Sequence, residues 1–163
     1  MSVGADADPD AGTVARAVDA LAGAVGDAAP SGSVVGVGID AVDIERLRTV
    51  LQRRHRLAER LFTPGERAYA AAAADPTPRL ATRFATKEAV MKALGLGLGA
   101  FGFHDVEVVR EGIDAPRLVL HGAAADAARR AGVTRWHLSL THTDALALAA
   151  VVADGGGVAG RPI

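Results

Sequence analysis

From residue 33 onward the hydrophobic positions follow two different periods, and each predicts its own kind of element. In "SVVGVGID", Val35, Val37 and Ile39 alternate with small residues. This predicts a strand buried on its valine side, closely approached on its glycine side, and ending at Asp40. "AVDIERLRTVLQRRHRLAERLF" follows a helical period, with arginine on most of its exposed positions. "TPGERAYAAAAADP" predicts a short helix opened by Thr63-Pro64 and closed by Asp75-Pro76. Thr77-Pro78 opens the longest helix, which runs to Leu94 and stops at Gly95. After the glycine-rich loop "GLGLGAFG", "HDVEVVR" and "PRLVLHG" read as strands, and an alanine-rich helix ends near Gly132. "TRWHLSL", a turn at "THTD" and "ALALAAVVA" read as a hairpin. Helices mixed with adjacent antiparallel strands define an α+β fold.

Residues 1–32 break this pattern. They are mostly Ala, Gly, Asp and Ser, with Val14, Val18, Leu21 and Val25 at helical spacing. The expected organisation is an N-terminal extension over 1–32, disordered or a short docked helix, a folded domain over 33–154, and a flexible tail over 155–163. Composition narrows the function classes. The chain has 163 residues, half of them hydrophobic, and a formal net charge of −1, so bulk charge points to no nucleic-acid partner. It has no cysteine, which excludes disulfides and thiolate metal sites. No apolar run reaches membrane-spanning length, and the start "MSVGADADPD" is acidic and unlike a secretory signal. A cytoplasmic protein without a membrane partner is expected.

The chemistry concentrates in "RFATKEAVMKALG". Leu80, Phe84 and Met91 lie on one helical row, and that row passes Lys87 or Glu88. Glu88 and Lys92 stand four apart, in the order of a surface ion pair contributing roughly 0.3–0.5 kcal/mol. Against that plain reading, the pair lies on or beside the apolar row, and Arg83 and Lys87 form a second cationic row next to it. A carboxylate on a buried row needs a cation, and a divalent metal serves better than one lysine. Asp40, at a strand end, is either the N-cap of a helix starting at Val42 or Asp43, or a second oxygen ligand. Asp40 with Glu88 suits Mg²⁺, with water and substrate phosphate completing the set and Arg83, Lys87 and Lys92 facing the phosphates. His142, with Ser139, Thr141 and Thr143 near it, is either a surface turn residue or a phosphate contact. It is a poor metal ligand, and a Ser139–His142–Asp144 triad is disfavoured because all three share one strand and its turn.

"GVGID" followed by "ERLR", "LFTPGE", "RFATKEAVMKALG", "FHDVEV" and "LSLTHT" together resemble the holo-acyl-carrier-protein synthases, the small group of 4′-phosphopantetheinyl transferases. The resemblance covers residues 33 to about 153 in the family's order. It implies that family's fold, an antiparallel sheet with a long central helix, in a single domain that trimerises with each active site shared between subunits. It implies Mg²⁺-dependent transfer of 4′-phosphopantetheine from coenzyme A to a serine of an apo acyl carrier protein, releasing 3′,5′-ADP. Asp40 and Glu88 fall on the metal ligands, Glu88 on the general base, Lys92 on the group offsetting charge on the departing 3′,5′-ADP, and Arg83, His142 and Thr143 on the coenzyme A contacts. Arg46, Arg53 and Arg56 fall where the family meets an acidic carrier-protein helix; their plain reading is a solvated basic face. The carrier could serve fatty-acid, polyketide or peptide synthesis. The extension at 1–32 and the lysine-poor linker "AAAADPTPRLAT" depart from the family pattern. A non-catalytic carrier-binding module of the same fold, or a metal-dependent phosphohydrolase, are the alternatives.

Overall fold

The computed structural model describes residues 32–156 except 55, 111 and 113, so the expectation for 1–32 lies outside the described residues but for Gly32. Strand β1 (Gly32–Asp43) leads into α1 (Ile44–Arg53), α2 (Leu57–Leu61), α3 (Pro64–Ala71) and the long helix α4 (Thr77–Ala93). A single 3-10 turn (Phe103–Asp105) precedes the hairpin strands β2 (Val106–Val109) and β3 (Arg117–Leu120). Helix α5 (Gly122–Arg130) then precedes the long hairpin of β4 (Val133–His142) and β5 (Leu146–Gly156). β1, β5 and β4 form one antiparallel sheet with β5 in the centre, and β2–β3 form a separate pair.

The predicted burial of β1 is reversed. Val37 and Ile39 are 48% and 42% exposed, while Gly38 and Asp40 are buried under α4. The close approach causes this. A Cβ on Gly36 would lie 1.9 Å from the Ala93 carbonyl oxygen, and one on Gly38 would lie 1.9 Å from that of Ala89. Only glycine allows the helix backbone so near the strand. The main core forms where Ala85, Ala89, Val90 and Ala93 of α4 meet Ala149, Val151 and Ala153 of β5.

Two other boundaries differ. β1 runs on to Asp43, and it is Asp43, not Asp40, that caps α1, its Oδ1 accepting from the Arg46 amide at 2.7 Å. The long arginine-rich segment is two helices, because Arg54 leaves helical geometry and the turn re-aims α2 so that Leu61 and Phe62 enter a second core with Ile44, Leu47 and Leu80. α3 opens on a capping box: Thr63 accepts from the Glu66 amide, and Glu66 accepts from the Thr63 amide.

Candidate active site

Asp40 reaches the site because β1 continues straight past it, on the face that α4 covers. Lys92 donates to Asp40 Oδ1 at 2.6 Å and to the Ile39 carbonyl at 3.1 Å. The second oxygen of Asp40, Oδ2, is buried without a hydrogen-bond partner. A carboxylate oxygen in that position needs a cation or a donor to offset its desolvation. Glu88, one helical turn before Lys92, stands beside Asp40. Its carboxyl is pushed above the usual carboxylate range, first by burial and then by the charge of Asp40, while Lys92 pulls it down. Lys92 thus pairs with Asp40, where the plain reading of the sequence had a Glu88–Lys92 surface pair. The donor set fits Mg²⁺: two neighbouring carboxylates, one with a buried oxygen that has no partner. Among the described residues no group of three or more metal-binding side chains occurs, so protein ligands alone would leave most positions to water and substrate.

Lys87 is not at this site. Its side chain is fully buried; Nζ pairs with Glu66 at 2.8 Å and donates to the carbonyls of Phe103 and Val106. With every proton used, it has none for a phosphate, and the expectation that it binds cofactor is corrected. Burial pulls its pKa down, and Glu66 opposes this. Glu66, which also accepts from the Val108 amide at 3.0 Å, thus joins α3, α4 and β2. The "TPGE" capping pattern announced its place on α3 but not its ion pair.

A second cluster lies on the other flank of α4. Arg83, only 3% exposed, donates to the Arg79 carbonyl and lies 4.2 Å over the Tyr69 ring, with its Nε buried and unpartnered. Burial pulls the pKa of this guanidinium down. Arg83 opens on a cavity of about 350 Å³ shared with Tyr69, Arg79, Arg110, Pro116 and His142. Arg79 also stacks on Tyr69, at 4.7 Å. The structure thus brings Arg83 and His142 together and adds Arg79 and Arg110, which no local motif marks. Thr143 does not line the cavity; its Oγ1 accepts from the Ala145 and Leu146 amides and shapes the β4–β5 turn.

The sheet register separates the two clusters. Asp40, Ala149 and Leu140 share one row across β1, β5 and β4, and Val42, Ala147 and His142 share the next but one. Helix α4 runs between them, with Arg83 and Glu88 about 140° apart around its axis. One chain carries a carboxylate cluster on its β1 flank and a cationic cluster on its β4 flank. Arg46, Arg53 and Arg56 are exposed along α1 and the turn after it.

The long helix α4 clamped on a β1–β5–β4 sheet carries carboxylates on one flank and arginines on the other; residues 36–151 match the 4′-phosphopantetheinyl transferase superfamily, and the chain belongs to it. It is 47% identical over 128 residues to a holo-[acyl-carrier-protein] synthase of Anaeromyxobacter dehalogenans, covering 76% of this chain and 98% of that one. Among solved structures it resembles the holo-[acyl-carrier-protein] synthase of Neisseria meningitidis, with TM-score 0.68 and 31% identity over 74% of this chain and 98% of that one. It also resembles the Bacillus anthracis synthase in complex with CoA (3′,5′-ADP), with TM-score 0.62 and 32% identity over 75% and 97% of the two chains.

Proposed function

We propose that this protein transfers the 4′-phosphopantetheine group of coenzyme A to a serine hydroxyl of an apo acyl carrier protein, with Mg²⁺, releasing 3′,5′-ADP. The observation that carries the reading is the buried, unpartnered Oδ2 of Asp40 beside Glu88 and Lys92. Asp40 and Glu88 would hold the ion, which when bound would offset the diphosphate's charge and act as a Lewis acid toward the phosphoryl group. Glu88, beside Asp40 on α4, takes the proton from the serine hydroxyl. The serine oxygen bonds to the pantetheine phosphorus as its bond to the bridging oxygen breaks. Lys92, half-exposed and paired with Asp40, meets the negative charge left on 3′,5′-ADP. Arg83, with its buried free Nε, and His142, Arg79 and Arg110 would grip the coenzyme's phosphates. The basic face of α1, with Arg46, Arg53 and Arg56, would receive the acidic carrier.

The chain would act as a homotrimer. Two features support this reading. The carboxylate and cationic clusters lie on separate flanks of α4, so a neighbouring copy can bring its cationic cluster to this copy's Asp40 and Glu88. On the sheet face away from α4, strand β1 leaves Val37 and Ile39 exposed, while β4 presents His137, Ser139 and Thr141. No helix among the described residues is long and apolar enough to cross a membrane.

Release of 3′,5′-ADP, followed chromatographically with coenzyme A, Mg²⁺ and an apo carrier, tests the assignment. Asp40→Ala and Glu88→Ala are expected to abolish release. Near wild-type release by either variant would overturn the metal site, and release without any carrier would show hydrolysis in place of transfer.

A further inference from the structure

Of the arginines along α1, Arg48 differs from those on its outer face. Its Nη1 and Nη2 donate to the two oxygens of Asp75, each at 2.9 Å, in a two-pronged pair. Nη1 also donates to Thr77 Oγ1 at 3.0 Å, and Nε donates to Glu45 Oε1 at 3.0 Å. Asp75 Oδ1 in turn accepts from the Thr77 amide at 2.9 Å, at the first turn of α4. The guanidinium therefore has no free edge for a partner, whereas Arg46, Arg53 and Arg56 are exposed. Asp75 is held well below the usual carboxylate range, first by its bonds to Arg48.

The packing around this pair explains why it matters. The buried residues of α1 are Ile44 and Leu47, both in its first half; from Arg48 onward every residue is half-exposed or exposed. Between that second half and the start of α4 lies an open cleft of about 640 Å³, bordered by Arg48, Leu51, Ala58, Asp75 and Leu80. Leu51 packs at the edge of the second core but leaves the cleft open, and the Arg48–Asp75 fork spans it. The half of α1 that carries Arg53 is thereby fixed to the helix that carries Glu88.

We propose that Arg48 and Asp75 are a positioning pair for the transfer reaction: their fork sets the stance of the basic face of α1 against α4, and with it the affinity for the carrier protein. This rests on the reading of α1 as the carrier-docking face. An ordinary exposed ion pair contributes little, and the two-pronged geometry is the recognised exception.

The test is steady-state transfer kinetics with the apo carrier and coenzyme A varied in turn. Arg48→Met and Asp75→Asn are each expected to raise the carrier KM about five- to tenfold, leaving the coenzyme A KM within about twofold. The double variant is expected to add little beyond either, because both remove one interaction. Arg48→Lys, which keeps the charge but not the fork, is expected to restore only part of the affinity. Asp75→Asn separates positioning from simple charge. It makes the surface more positive, so a purely electrostatic role would lower the KM for an acidic carrier, where positioning raises it. An unchanged or lowered carrier KM in Asp75→Asn overturns the proposal, even if the melting temperature falls. Arg53→Ala tests the docking reading separately: if it raises the carrier KM while Arg48→Met and Asp75→Asn do not, the pair fails and the docking face stands.

Discussion

Lys87 and Glu88 are adjacent in sequence, yet α4 turns them to opposite duties. A helical period shows that some charge must fall on the apolar row, but not which neighbouring element will meet it. That Asp40 and Glu88 stand together was foreshadowed by a strand-end carboxylate and a helix carboxylate on or beside an apolar row, although a helix cap and a surface ion pair were their plain readings. Lys87 was misread because its partner, Glu66, stands 21 positions away on another helix. Its role is structural, and breaking the pair strands a buried charge. Lys87→Met or Glu66→Gln is expected to cost about 3–5 kcal/mol in denaturant unfolding, with part regained in the double variant. A Lys87→Met protein of unchanged stability with a raised coenzyme A KM would return the residue to the phosphate site.

Elements were legible in kind and less so in facing. The alternation in β1 announced a strand with one tight side, but valine was expected inside. The glycines are inside because α4 comes so close, and a preference for burying valine cannot outweigh a helix backbone at 1.9 Å from a would-be Cβ. Gly38→Ala is expected to push α4 off β1, costing about 1–3 kcal/mol by overpacking. It also moves Lys92 and Glu88 away from Asp40, so transfer should fall by more than the loss of folded protein accounts for. Helix α1 was read too long because its arginine period continues smoothly through Arg54, where the backbone turns away. The tie between α1 and α4 has a pH signature. Asp75 has a depressed folded pKa, so its contribution to stability is complete above the unfolded value of about 3.9 and lost as pH falls below that, through the folded one. Wild type should therefore lose stability more steeply than Arg48→Met on acidification below about pH 4, followed by thermal melts.

For the whole molecule, the order of motifs carried the family, while assembly lies beyond what one chain's pattern displays. Val37 and Ile39 stand exposed on the β1 edge of the sheet face away from α4, and an assembly of the kind proposed would cover them. Ile39→Lys on that face is expected to shift a trimer to monomer in light scattering and to abolish transfer, with far-UV circular dichroism unchanged. An active monomer would contradict the shared site. The central claim, that Asp40 and Glu88 form a metal-dependent phosphopantetheine transfer site, is tested most directly by intact-protein mass spectrometry of an apo acyl carrier protein incubated with this protein, coenzyme A and Mg²⁺, with and without EDTA. The account predicts a gain of one phosphopantetheine on the carrier, lost with EDTA and lost in Asp40→Ala. A gain that persists in EDTA, or in Asp40→Ala, would contradict it.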